Sequence, residues 1–106
     1  MSRKVSVIIK RPGESAYHTN ISCSLENLQK TVGGYIETVR MFEDATFIVN
    51  EEGKLRGFPY NFTISGIDLV GTVILIGCKG NNFCDLPITF KEAKDVFPMM
   101  FEKNIL

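Results

Sequence analysis

The chain has 106 residues, 44% of them hydrophobic and 23% charged, which suits one domain with a single modest core and excludes disordered and fibrous classes. Twelve basic and twelve acidic side chains cancel, and that balance excludes a general nucleic-acid binder, which needs surplus cations to displace counterions from phosphates. The cancellation is uneven: Met1–Arg40 holds six basic and three acidic residues, Met41–Leu106 six and nine, a mild dipole of a common kind.

Lys4–Arg11 alternates Val5, Val7 and Ile9 against Ser6, Ile8 and Lys10, and its β-branched content predicts a strand. Pro12-Gly13 forces a turn, and Ser15–Ile21 returns as the second arm of a hairpin, with Tyr17, Thr19 and Ile21 on one face. Ser24 is placed to cap a helix over Leu25–Val32, with Cys23 and Leu28 at staple positions around it. Gly33-Gly34 ends that helix, the first glycine free to take the left-handed conformation. Tyr35–Met41 and Ala45–Asn50 alternate as strands around an acidic connection at Phe42-Glu43-Asp44. Asn50-Glu51-Glu52-Gly53 signals a turn, after which Lys54–Gly57 is expected as the next strand. Phe58-Pro59-Tyr60-Asn61 must leave the sheet or run at its edge, because Pro59 has no amide to donate.

Val70–Ile76 contains an unbroken Val73-Ile74-Leu75-Ile76, which predicts a central strand buried on both faces. Residues from Gly77 to Asn82 form a turn, and Phe83–Leu86 a brief returning strand. Thr89 with Glu92 makes a capping box for a C-terminal helix whose inner side carries Val96 and Phe97 and which Pro98 stops. Met99-Met100-Phe101 and Ile105-Leu106 continue as an apolar end. The order is β-β-α-β-β-β-β-(β)-α: an α+β domain with helices on a curved, mostly antiparallel sheet, one domain over residues 1–106.

Little in this chain carries catalysis. His18 is the only histidine, on a strand with no nucleophile at hand. Cys84 stands beside Asp85, whose charge raises a thiol pKa, the wrong direction for a nucleophile. The three cysteines, Cys23, Cys78 and Cys84, have neither framework nor zinc spacing and are expected as reduced thiols. The basic start Met1-Ser-Arg-Lys is followed by an apolar stretch too short for a signal segment, no run approaches a membrane span, and the sequons at Asn20 and Asn61 therefore carry no weight. A cytoplasmic non-enzyme without metal or cofactor is expected.

Asn50–Asn61 is the most informative stretch. On a strand, Lys54 and Arg56 project from one face; Phe58 and Tyr60 can stack on a planar ring, and Asn50 or Asn61 can read its edge. The competing reading is a solvent-facing hairpin followed by a bend whose aromatics close the core.

Two runs, Leu25-Glu-Asn-Leu-Gln-Lys-Thr-Val-Gly-Gly-Tyr-Ile-Glu37 and Ile48-Val-Asn-Glu-Glu-Gly-Lys-Leu-Arg-Gly-Phe-Pro-Tyr-Asn61, carry a resemblance. They resemble a family of small proteins of unassigned function found in phages, plasmids and Firmicutes genomes, with Val-Gly-Gly-Tyr-Ile-Glu and Asn-Glu-Glu-Gly-Lys…Gly-x-Pro-x-Asn hallmarks. Asp68-Leu-Val-Gly-Thr-Val-Ile-Leu-Ile-Gly77 is similar to that family's Gly-Thr strand, whereas the N-terminal hairpin and Phe83-Cys-Asp-Leu-Pro87 match loosely. The resemblance implies an accessory protein of mobile elements that acts on the host, in the host cytosol. Cations (Lys54, Arg56, Arg40), rings (Tyr35, Phe58, Tyr60) and amides (Asn50, Asn61) match the phosphates, bases and base edges of a nucleotide. The leading expectation is a homo-oligomer, its pocket between protomers, that counters host defence by sequestering a nucleotide-derived signalling molecule. The alternative is an inhibitor or adaptor that binds a host protein through Phe97, Met99, Met100 and Phe101.

Overall fold

The computed structural model describes residues 3–102. The opening Met1-Ser2 and the apolar pair Ile105-Leu106 lie outside the described residues. The elements are β1 (Lys4–Lys10), β2 (Tyr17–Ser22), α1 (Leu25–Val32), β3 (Ile36–Arg40), β4 (Ala45–Asn50), β5 (Tyr60–Ile64), β6 (Ile67–Val70), β7 (Val73–Lys79), β8 (Asn82–Cys84), α2 (Phe90–Val96) and α3 (Pro98–Phe101).

Period-two alternation builds the layers. The main sheet runs β2-β1-β7-β4-β3, every pairing antiparallel, and β8 pairs with β7. On one face Val5, Val7, Ile9, Ile48, Ile74 and Ile76 meet Leu28 and Val32 of α1. On the other, Ile8, Phe47, Val49, Val73 and Leu75 meet Phe62, Ile64 and Leu69 of a separate β5-β6 hairpin, together with Phe97 and Met100. This is the expected α+β architecture, its sheet open at β2 and β3. As predicted, Val73, Ile74, Leu75 and Ile76 are all fully buried in the middle strand. α1 also matches its sequence signals: Ser24 accepts from the Asn27 amide at 3.2 Å, and Gly33 closes the helix at φ +84°.

Three expectations are corrected. Lys54–Gly57 is not a strand, because residues 51–57 coil. Asn50 Oδ1 captures the Glu52 amide at 2.7 Å, Arg56 N donates to Glu52 O at 2.9 Å and Phe58 N to Gly53 O at 2.9 Å, so local bonds replace a sheet ladder. The stretch Val70–Ile76 is two strands, broken at Gly71, whose φ of +71° no strand residue adopts. The β5-β6 hairpin turns at Ser65-Gly66, both at positive φ as a tight primed turn requires, a dipeptide not singled out above. Val96 is 42% exposed instead of inward, while Phe97 is buried. Pro98 does stop α2 and opens α3. In the apolar run Met99-Met100-Phe101, Met100 is buried and Met99 and Phe101 pack half-buried against the hairpin-side core.

Candidate functional site

The two hallmark runs meet in space because each ties off the other's loose backbone. Asn50 is buried; its Nδ2 donates to Val32 O at 3.1 Å, one of the carbonyls left open at the end of α1. Arg56 Nη1 donates to the next, Gly33 O, at 3.0 Å, and its guanidinium lies 4.9 Å from the centre of the Phe58 ring. Gly34 passes so close that a Cβ there would stand 2.9 Å from Asn50 Nδ2. Phe58 occupies space left by Gly71, where a Cβ would come within 2.7 Å of its ring. Asn50, Arg56 and Phe58 thus form a joint between α1, β4 and the 51–57 loop. The Asn50 amide is spent on the fold's own backbone, while the exposed Arg56 guanidinium lends one Nη to Gly33 O and lies over the half-buried Phe58 ring.

Asn61 is also turned inward, fully buried on β5. Its Nδ2 donates to Lys10 O at 2.8 Å and Gly71 O at 2.9 Å, and its Oδ1 accepts from Lys10 Nζ at 2.9 Å. Lys10 is itself 1% exposed, and burial pushes its ammonium pKa below the ordinary value, with Glu14 opposing the shift. Sequence reasoning passed over Lys10: alternation set it with Ser6 and Ile8, opposite Val5, Val7 and Ile9, without showing that this face is covered too.

The remaining candidates are at the surface. Tyr35 is 67% exposed, and its carbonyl accepts from the Glu51 amide at 2.8 Å. Tyr60 is half exposed, its hydroxyl 2.6 Å from Thr63 Oγ1, which donates to Asp68 Oδ1. Lys54 and Arg40 border a groove of about 590 Å³ between β3, the 51–57 loop and β6, shared with Glu37, Glu51, Leu55 and Asp68. The structure therefore brings Arg40, Asn50 and Lys54 to the border of one groove and Asn50, Arg56 and Phe58 to one joint, with the Tyr35 ring exposed. Tyr60 and Asn61 point to opposite sides of β5, one outward and one into the core.

His18 is exposed on β2, and the three cysteines are free thiols. Among the described residues no three of His, Cys, Asp and Glu gather into a group that could hold a metal, and no helix is long and apolar enough to cross a membrane.

An open antiparallel sheet, helix-covered on one face and hairpin-covered on the other, with a polar groove along its β3 edge, defines a small α+β domain. The chain matches the family model described as a domain of unknown function (DUF3846) over residues 4–97, and it belongs to that family. Comparison with curated proteins and with solved structures gave no match.

Proposed function

We propose that this domain is a non-enzymatic binding protein of phage or mobile-element type that counters host defence, in the host cytosol, by sequestering a nucleotide-derived signalling molecule. The observation that carries this reading is the groove between β3, the 51–57 loop and β6. Its roughly 590 Å³ falls within the range of about 300–1,000 Å³ typical of small-molecule sites. Lys54 supplies a cation for a phosphate, while Glu37, Glu51 and Asp68 supply acceptors for ribose hydroxyls and base amines; Arg40 borders the groove from β3 with its guanidinium turned to the opposite sheet face. The unpaired edge of β3 leaves one side open, and closure of the site by a second protomer gives the homo-oligomer. The test is calorimetry against cyclic nucleotides and ADP-ribose derivatives, with oligomeric state followed in parallel. A saturable heat that falls about tenfold or more in affinity for Lys54→Ala supports the reading; silence across the panel ends it.

A second reading, an inhibitor or adaptor that covers a host protein, is favoured by one feature. Leu55 is 89% exposed on the rim of the same groove, beside Ile67 at 40%, next to the free β3 edge. Native mass spectrometry of the protein recovered from host lysate separates the two: a stoichiometric protein partner, lost on Leu55→Asp and present without nucleotide, favours this class.

A further inference from the structure

The aliphatic floor beneath α1 ends at Ile48 and Ile76. The next positions on that face are Thr46 on β4 and Cys78 on β7, joined by Thr38 and Arg40 on β3 and by Phe83 on β8. With Gly80 and Asn81 they line a separate cavity of about 220 Å³ that the helix does not cover. Aliphatic side chains there would simply extend the core, yet hydroxyls, a thiol and a guanidinium stand in their place.

Among the described residues, Arg40 is the only ionised side chain in that lining. Its Nη2 donates to Gly80 O at 3.1 Å and to Cys78 Sγ at 2.9 Å, while the Cys78 thiol donates onward to Glu43 O at 3.6 Å. Those acceptors pin one end of the guanidinium, and the N–H groups on Nε and Nη1 stay available. Among the described residues Arg40 has no ion-pair partner; Glu43 borders a neighbouring cavity that Arg40 also touches without pairing with it. The β3 groove differs, since it holds carboxylates beside its cations. A cavity whose one charge is a fixed cation, with the Thr38 hydroxyl two residues away on the same strand face and the Asn81 amide opposite, is built to take an anion. The Phe83 ring adds an apolar wall, and the volume admits one ring and its charged group, not a dinucleotide.

We propose that this cavity is a binding site for a small aromatic oxyanion, its anionic group on Arg40 and Thr38 and its ring against Phe83. The site lies on the helix-side face of the sheet and does not depend on the β3 groove holding a nucleotide. The experiment is an NMR titration of the full chain with phenyl phosphate, benzoate and inorganic phosphate, following the Arg40 Nε–H and the Thr38 and Asn81 amides. Saturating shifts at these three positions are expected for at least one ring-bearing anion, more weakly for inorganic phosphate. Preference for phenyl phosphate identifies a phosphate ester, and preference for benzoate a carboxylate. Arg40→Gln should weaken binding about tenfold or more and Thr38→Val by a smaller factor, with Lys54→Ala unchanged. Absence of saturation, shifts confined to Lys54 and Leu55, or full affinity in Arg40→Gln overturns the proposal. A silent nucleotide panel with saturation here would remove the groove reading and leave this one standing.

Discussion

A lysine ammonium taken out of water must be hydrogen-bonded, and Lys10 finds its close acceptor in Asn61 Oδ1, with Arg11 O more distant at 3.5 Å. Asn61 in turn ties the end of β1 to the break at Gly71, a polar link beside the apolar packing of Phe62, Ile64 and Leu69 on the main sheet. Asn61→Ala should cost about 3 kcal/mol, since it strands a buried cation and two backbone carbonyls; a urea midpoint that barely moves would refute this. The same pair predicts a pH dependence. The folded state binds the Lys10 proton less tightly than the unfolded chain, where the pKa is the ordinary 10.5. Unfolding therefore takes up a proton between the lowered folded value and 10.5, and stability should rise with pH across that window and be flat below it. Lys10→Met should remove this rise, which paired denaturation series at alkaline pH will read.

At the scale of elements, α1 is short and ends under tension between two needs: its last carbonyls must be satisfied, and β3 must begin at once. The end of β4 and the 51–57 loop meet both needs by lending Asn50 to Val32 O and Arg56 to Gly33 O. Arg56→Ala should then destabilise the fold by about 1 kcal/mol, through a lost hydrogen bond and a lost contact with Phe58. Lys54→Ala, two residues away in a coiled loop, should leave the denaturation midpoint where it is. Equal midpoints for the two variants would mean that Arg56 does not serve the helix end. This separates residues that the strand reading had paired.

Over the whole molecule, β7 joins two cores back to back, with Val73 and Leu75 toward the hairpin and Ile74 and Ile76 toward α1. Truncation on either face opens a cavity that neither layer can fill, so Ile74→Ala and Leu75→Ala should each cost about 2–4 kcal/mol. Matching losses in denaturant midpoint on both faces would confirm a shared central strand; a small loss at Ile74 alone would place α1 loosely on the sheet. The radius of gyration of 12.8 Å is that of a compact chain of this size. The layers leave uncovered the β2 and β3 edges and the sheet face beyond α1.

The sequence by itself determined the elements whose signals are local. The cap at Ser24, the stop at Gly33, the Thr89–Glu92 capping box and the unbroken run in β7 depend on neighbours a few residues away, and each stands where it was expected. It also grouped Lys10 with Ser6 and Ile8 on one strand face, without revealing that this face is covered or that an asparagine fifty-one positions later would receive the lysine. Local chemistry misled at residues 51–57, where a side chain preceding the turn captured the backbone before a strand could form. Only the tertiary structure decided which candidate side chains share a surface. Lys54, Arg56, Phe58 and Asn61 are close in sequence, but one borders a groove, two close a joint and one is in the core. Arg40, Thr38, Asn81 and Phe83, distant in sequence, meet at one cavity because β3, β4, β7 and β8 are neighbours in one sheet. Which polar groups remain available for a ligand depends on which ones the fold has already used, and that follows from contacts between segments no local pattern links.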